Sequence, residues 1–93
     1  MLERKIERCL VQEVNKRGGS AFKFVSPGCD GVPDRLILFP GGKIAFIEVK
    51  APGIKLRPLQ MKRVKDFVEL GQKVYEVDNA EMIGGVLDEI QST

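Results

Sequence analysis

Asp34, Glu48 and Lys50 are the side chains of this chain whose types and spacing could do chemistry together. Between the two acids lie two apolar runs, 36–39 and 44–47, separated by Pro40-Gly41-Gly42. Such runs around a short Gly-rich connection read as an antiparallel hairpin. With a three-residue loop, Phe39 faces Lys43 and the ladder sets Asp34 opposite Glu48. Directly opposed residues have Cβ atoms roughly 4.5–5.5 Å apart, so the two carboxylates repel unless something positive sits between them. Hard oxygen ligands suit a divalent cation such as Mg2+ or Mn2+. Side chains alternate along a strand, so Ile44, Phe46, Glu48 and Lys50 share one face. An acid and a base thus follow two large apolar residues, as though a core ended there and a polar site began. Lys50 in that place orients an attacking water or stabilises charge building on a phosphate. A rim salt bridge between Glu48 and Lys50 is the plainer reading, and the Pro33-Asp34 pair at the matching hairpin position weighs against it.

These residues must be positioned by one small domain, 1–93. The composition is 43% hydrophobic and 30% charged, as expected of a soluble globular protein. No apolar stretch approaches the ~20 residues that cross a bilayer, so no membrane partner is expected. The first residues, Met1-Leu2-Glu3-Arg4-Lys5, open into a charged helical pattern rather than a secretory signal. Cys9 and Cys29 have no metal-site spacing, which reads as two reduced thiols in a cytoplasmic protein. The chain has no histidine, which removes Ser-His and Cys-His schemes and leaves carboxylate, lysine and metal. Its net charge is only +2, but from Val49 to Lys65 there are six cations and no acid, Lys50, Lys55, Arg57, Lys62, Arg63 and Lys65. That belt beside the proposed site suits a polyanion; a solvated helix face is the plainer alternative.

A first helix is expected over 2–17, closed by Gly18-Gly19, with Ile6, Leu10 and Val14 as its buried stripe. Glu7 aligns with that stripe and Glu3 lies on the same side. A strand over 21–25 and a turn-rich loop over 26–33 lead to Asp34. The hairpin is apolar on both faces, so helices should cover both sides. A second helix over 58–70 carries Gln60, Val64, Phe67 and Val68 inward, Pro58 suits its first turn, and Gly71 stops it. Gln60 is then either a capping residue or a polar group of the site. A strand over 73–77 and a helix over 80–91 capped by Asn79 complete the order αβββαβα, an α/β mixed sheet flanked by helices.

Pro33-Asp34 followed by Glu48-Val49-Lys50 within that order resembles the PD-(D/E)XK nuclease superfamily. Gly31-Val32-Pro33-Asp34-Arg35, the segment 46–53 and Gln60 after a basic stretch are more closely similar to the VRR-NUC (virus-type replication-repair nuclease) domain, from Glu3 to about Val77. The resemblance implies a restriction-endonuclease-like core and a metal-dependent phosphodiesterase acting on DNA. It makes Asp34, Glu48 and the Val49 carbonyl ligands of Mg2+ or Mn2+, Lys50 the water-positioning lysine and Gln60 the glutamine completing the site. The first-helix acid is Glu7, deeper in the stripe, or Glu3. Stand-alone members are similar to Holliday junction resolvases acting as homodimers on four-way junctions, and phage members imply action in the host cytoplasm. Lys55, Arg57, Lys62, Arg63 and Lys65, with Lys23 and Arg35, would grip phosphates, contacts that read shape rather than sequence. A nuclease of the same fold cutting duplex or flap DNA, and a catalytically silent DNA-binding module, are the competing readings.

Overall fold

The computed structural model describes residues 2–93; Met1, where the expected domain starts, lies outside the described residues. Helix α1 (Leu2–Lys16) leads into strand β1 (Ser20–Lys23), the hairpin β2 (Arg35–Phe39) and β3 (Lys43–Val49), helix α2 (Pro58–Glu69) and strand β4 (Val74–Val77). A single 3-10 turn (Ala80–Met82) then feeds helix α3 (Ile83–Ser92). The four strands stand in the order β1-β2-β3-β4. The first three are antiparallel and β4 runs parallel to β3. A parallel neighbour needs a crossover, and α2 supplies it. The expected element order and mixed sheet are therefore present, and no helix among the described residues is long and apolar enough to cross a membrane.

The hairpin has the expected register, with Phe39 opposite Lys43 and Arg35 opposite Ile47. Gly41 and Gly42 make its turn possible, since both have positive φ, +88° and +78°, a conformation costly for residues with a Cβ. Ile6, Leu10 and Val14 of α1 and Ile83, Leu87 and Ile90 of α3 bury one face of the sheet with Ile37, Phe39, Ala45, Ile47 and Val49. The last helix therefore packs on its own sheet. Asn79 caps the 3-10 turn before it, its Oδ1 accepting from the Met82 N–H at 3.0 Å. Arg17 joins α1 to α3 by donating to Asp88 and Gln91.

Among the described residues, α2 is the one helix on the opposite face, which carries Glu48. Phe67 from α2 meets Phe46 from β3 and Phe24 beyond β1, with ring centroids 4.8 and 6.2 Å away. Twelve residues of helix cannot cover the whole sheet. Ile44, expected inside, is 41% exposed, and Phe22 is 53% exposed. Val68, also expected inside, is 53% exposed because it lies a further 100° round the helix from Phe67.

One glycine fixes how α1 turns into the sheet. A Cβ on Gly19 would lie 2.6 Å from both the Leu38 carbonyl oxygen and Phe39 Cδ1. Gly19→Ala should therefore cost about 1–3 kcal/mol through overpacking, read as a lower urea midpoint at unchanged m-value.

Candidate active site

Asp34 immediately precedes β2, and one further step of the register sets it against Glu48. Its backbone is held by the Phe24 N–H, which donates to the Asp34 carbonyl at 2.8 Å. Its side chain is held as well, Oδ2 accepting from the Val49 N–H at 2.9 Å. Glu48 is 1% exposed, and its buried Oε1 has no hydrogen-bond partner among the described residues. A carboxylate so placed resists ionisation. Burial first, then the hydrogen bond and repulsion from Asp34, push Glu48 up to about 8, against a smaller lowering by Lys50. The Lys50 backbone is fixed to β4, its N–H donating to the Val77 carbonyl at 2.9 Å. The end of β3 thus presents two facing acids and a lysine, with the inner Glu48 oxygen buried.

Gln60 stands at the third position of α2, 7% exposed, on the side that also carries Val64 and Phe67. Its Oε1 accepts from the Arg57 N–H at 2.9 Å, so the oxygen serves the helix start as a capping group. No hydrogen bond occupies its Nε2 among the described residues. Gly31 lets the loop before Asp34 lie against α2: a Cβ there would be 2.9 Å from Leu59 Cγ. Loop, helix and hairpin end are therefore packed as one unit around the two acids.

Glu7 is not brought into this group. It lies on α1, across the sheet, and its Oε2 accepts from Arg35 Nε at 2.8 Å. Glu3 is exposed in the first turn of α1. Among the described residues no three acidic, histidine or cysteine side chains gather at one point. The cations divide in two. Arg35 also donates to the Ala21 carbonyl, and Arg63 to the Asp30 carbonyl, so both hold the fold. Lys23, Lys55, Arg57 and Lys65 are exposed, and Lys62 is exposed beside Asp66 at 3.8 Å. The sequence reading missed Glu76. It pairs in parallel register with Glu48 and lines a cavity of about 180 Å3 that reaches it. Its signal was a second apolar run, 74–77, with Glu third, matching 46–49.

A solved structure described as "VRR_NUC domain" matches this fold with a TM-score of 0.89, covering 95% of this chain and 96% of that one at 26% identity. A curated protein of Acyrthosiphon pisum secondary endosymbiont phage 1, named "Putative nuclease p44", is 50% identical over 80 residues, 86% of each chain. The chain belongs to the VRR-NUC nuclease family. A scan against protein-family models finds no match. The hairpin register brings Pro33-Asp34 and Glu48-Val49-Lys50 to the same end of the sheet. The glutamine on α2 lies on the same face of the sheet.

Proposed function

We propose that this VRR-NUC protein is a divalent-metal-dependent DNA endonuclease that resolves four-way junctions as a homodimer. The observation that carries the reading is the Glu48 carboxylate, enclosed, unpartnered at Oε1 and pressed against Asp34. A catalytically silent module gains nothing from it, since a buried unpaired acid only weakens a fold. A hard cation fits this donor set, because a double positive charge would let both acids ionise side by side. Asp34, Glu48 and the Val49 carbonyl would hold Mg2+ or Mn2+. A first-helix acid would add to them: Glu3 is exposed, whereas Glu7 must first give up Arg35. Bound there, the cation supplies Lewis acidity toward a phosphate oxygen and offsets developing charge.

The protein's own groups do the rest. Lys50 shares the Glu48 face and directs an ammonium group at the attacking water or the phosphate oxygens. Gln60 offers its Nε2 to the same water. Lys55, Arg57, Lys62 and Lys65, with Lys23, contact neighbouring phosphates, while Arg63 and Arg35 hold the loop and strand beneath. These contacts carry no sequence information, so branched shape selects the substrate. One monomer has one such site, and symmetric cutting of two strands needs two related by a twofold axis. The phage relative supports action in a host cytoplasm.

A labelled four-way junction beside flap and linear duplex DNA, in Mg2+ and in EDTA, tests this reading. Paired symmetric nicks in the junction alone, from a protein with the native mass of a dimer, are expected. Cutting of flap or duplex in preference to the junction would keep the chemistry and overturn the substrate. Junction binding without cutting in Mg2+ would make the protein a DNA-binding module.

A further inference from the structure

Beyond the acids, between α2 and β4, lies an open groove of about 610 Å3, within the roughly 300–1,000 Å3 of small-ligand sites. Leu56, Met61, Val64 and Val68 make it apolar. Met61 and Val68 are 58% and 53% exposed, although a helix inside a folded domain ordinarily turns such residues inward. Lys55 and Lys65 also line the groove, and neither forms an ion pair among the described residues. Glu76 stands on the β4 side. Leu56, Val64 and Glu76 line both this groove and the 180 Å3 cavity that reaches Glu48. Groove and candidate active site are one continuous surface.

An apolar floor with unpaired ammonium groups beside it matches one chemical pattern within a DNA strand: a flat base flanked by phosphates. We infer that the groove takes a single unstacked nucleobase next to the scissile phosphate. Lys55 and Lys65 meet the phosphates on either side of that base, and the Glu76 carboxylate accepts from an exocyclic amine at its edge. The occupant follows from charge, since the stretch 49–65 holds six cations and no acid, and from continuity with the acids. A branch point is where a base is freed most cheaply, because its pairing and stacking are already weakened. The inference rests on the nuclease reading and adds a base-holding subsite to it.

The test uses junctions with 2-aminopurine placed singly at each position around the branch, bound to the full chain in EDTA. A several-fold rise in fluorescence at one position, flat elsewhere and absent with Met61→Glu, is expected. Cleavage by Met61→Glu in Mg2+ should fall about tenfold, the scale of one lost base contact. A flat response at every position would overturn the subsite while leaving cleavage, and so the nuclease reading, untouched. A local rise from a protein that never cuts in Mg2+ would keep the subsite and overturn the nuclease reading. Conversion of a dimer to a monomer by Met61→Glu, at unchanged fluorescence, would show that the groove seats a second copy instead.

Discussion

Glu48→Gln should melt higher than the native protein at pH 9 in EDTA, and should cut DNA at least about 10^3-fold more slowly, the cost of losing several kcal/mol of transition-state stabilisation. The stability half follows from the raised carboxyl. With the folded value at about 8 against an ordinary 4.5, the folded protein holds its proton where the unfolded chain has lost it. Its contribution is complete below about 4.5 and disappears as pH rises to about 8. Above that window the metal-free fold contains a charged, desolvated carboxylate with one unpartnered oxygen. Glutamine cannot ionise, so the substitution should recover on the order of 3–5 kcal/mol at pH 9. For a chain of this size that is roughly 10 °C or more in Tm. At pH 5 the two proteins should melt within a few degrees, and melting curves at both pH values check this. Equal melting at pH 9 would show that Glu48 is paired or hydrated in solution. A gain in stability with a loss of activity marks a residue kept for function.

Asp34 separates its two roles by substitution. Asp34→Asn retains an oxygen to accept from the Val49 N–H and removes the charge facing Glu48. It should fold as well as the native protein, lower the Glu48 pKa, and slow cleavage by about 10^2-fold or more. Asp34→Ala should lose the same activity and additionally cost about 1–3 kcal/mol, because it strands the N–H of Val49, which is 1% exposed. Urea unfolding of both variants beside single-turnover cleavage measures the two effects separately. Alanine and asparagine variants of equal stability would contradict the structural role of the Oδ2 bond.

Much of this was legible in the residues. Pro40-Gly41-Gly42 set the hairpin loop, the loop set the register, and the register alone paired Asp34 with Glu48. Asn79 and Gly18-Gly19 marked helix ends by chemistry that needs no tertiary information. What the pattern could not tell was which face of the hairpin holds the main core, since both are apolar. That is decided by two helices, α1 and α3, packing beneath Ala45, Ile47 and Val49, with one short helix left for the Glu48 side. Phe22 and Ile44 are exposed for that reason. Glu7 aligned with the buried stripe of α1, yet its partner is Arg35, 28 residues away. An ion pair between such distant positions leaves no periodic trace. For Gln60 the capping reading is the one with a hydrogen bond behind it, its oxygen accepting from the Arg57 N–H at the start of α2. The groove beside Glu76 became visible only once β4 lay parallel to β3.

The most direct test of the account is single-turnover cleavage of a labelled four-way junction by the native protein and by Glu48→Gln, each in Mg2+, in Mn2+ and in EDTA. Cutting by the native protein in either metal is predicted, with none in EDTA and none by the folded Glu48→Gln protein. Undiminished cutting in EDTA, or by Glu48→Gln in metal, would place the chemistry outside the Asp34, Glu48 and Lys50 site.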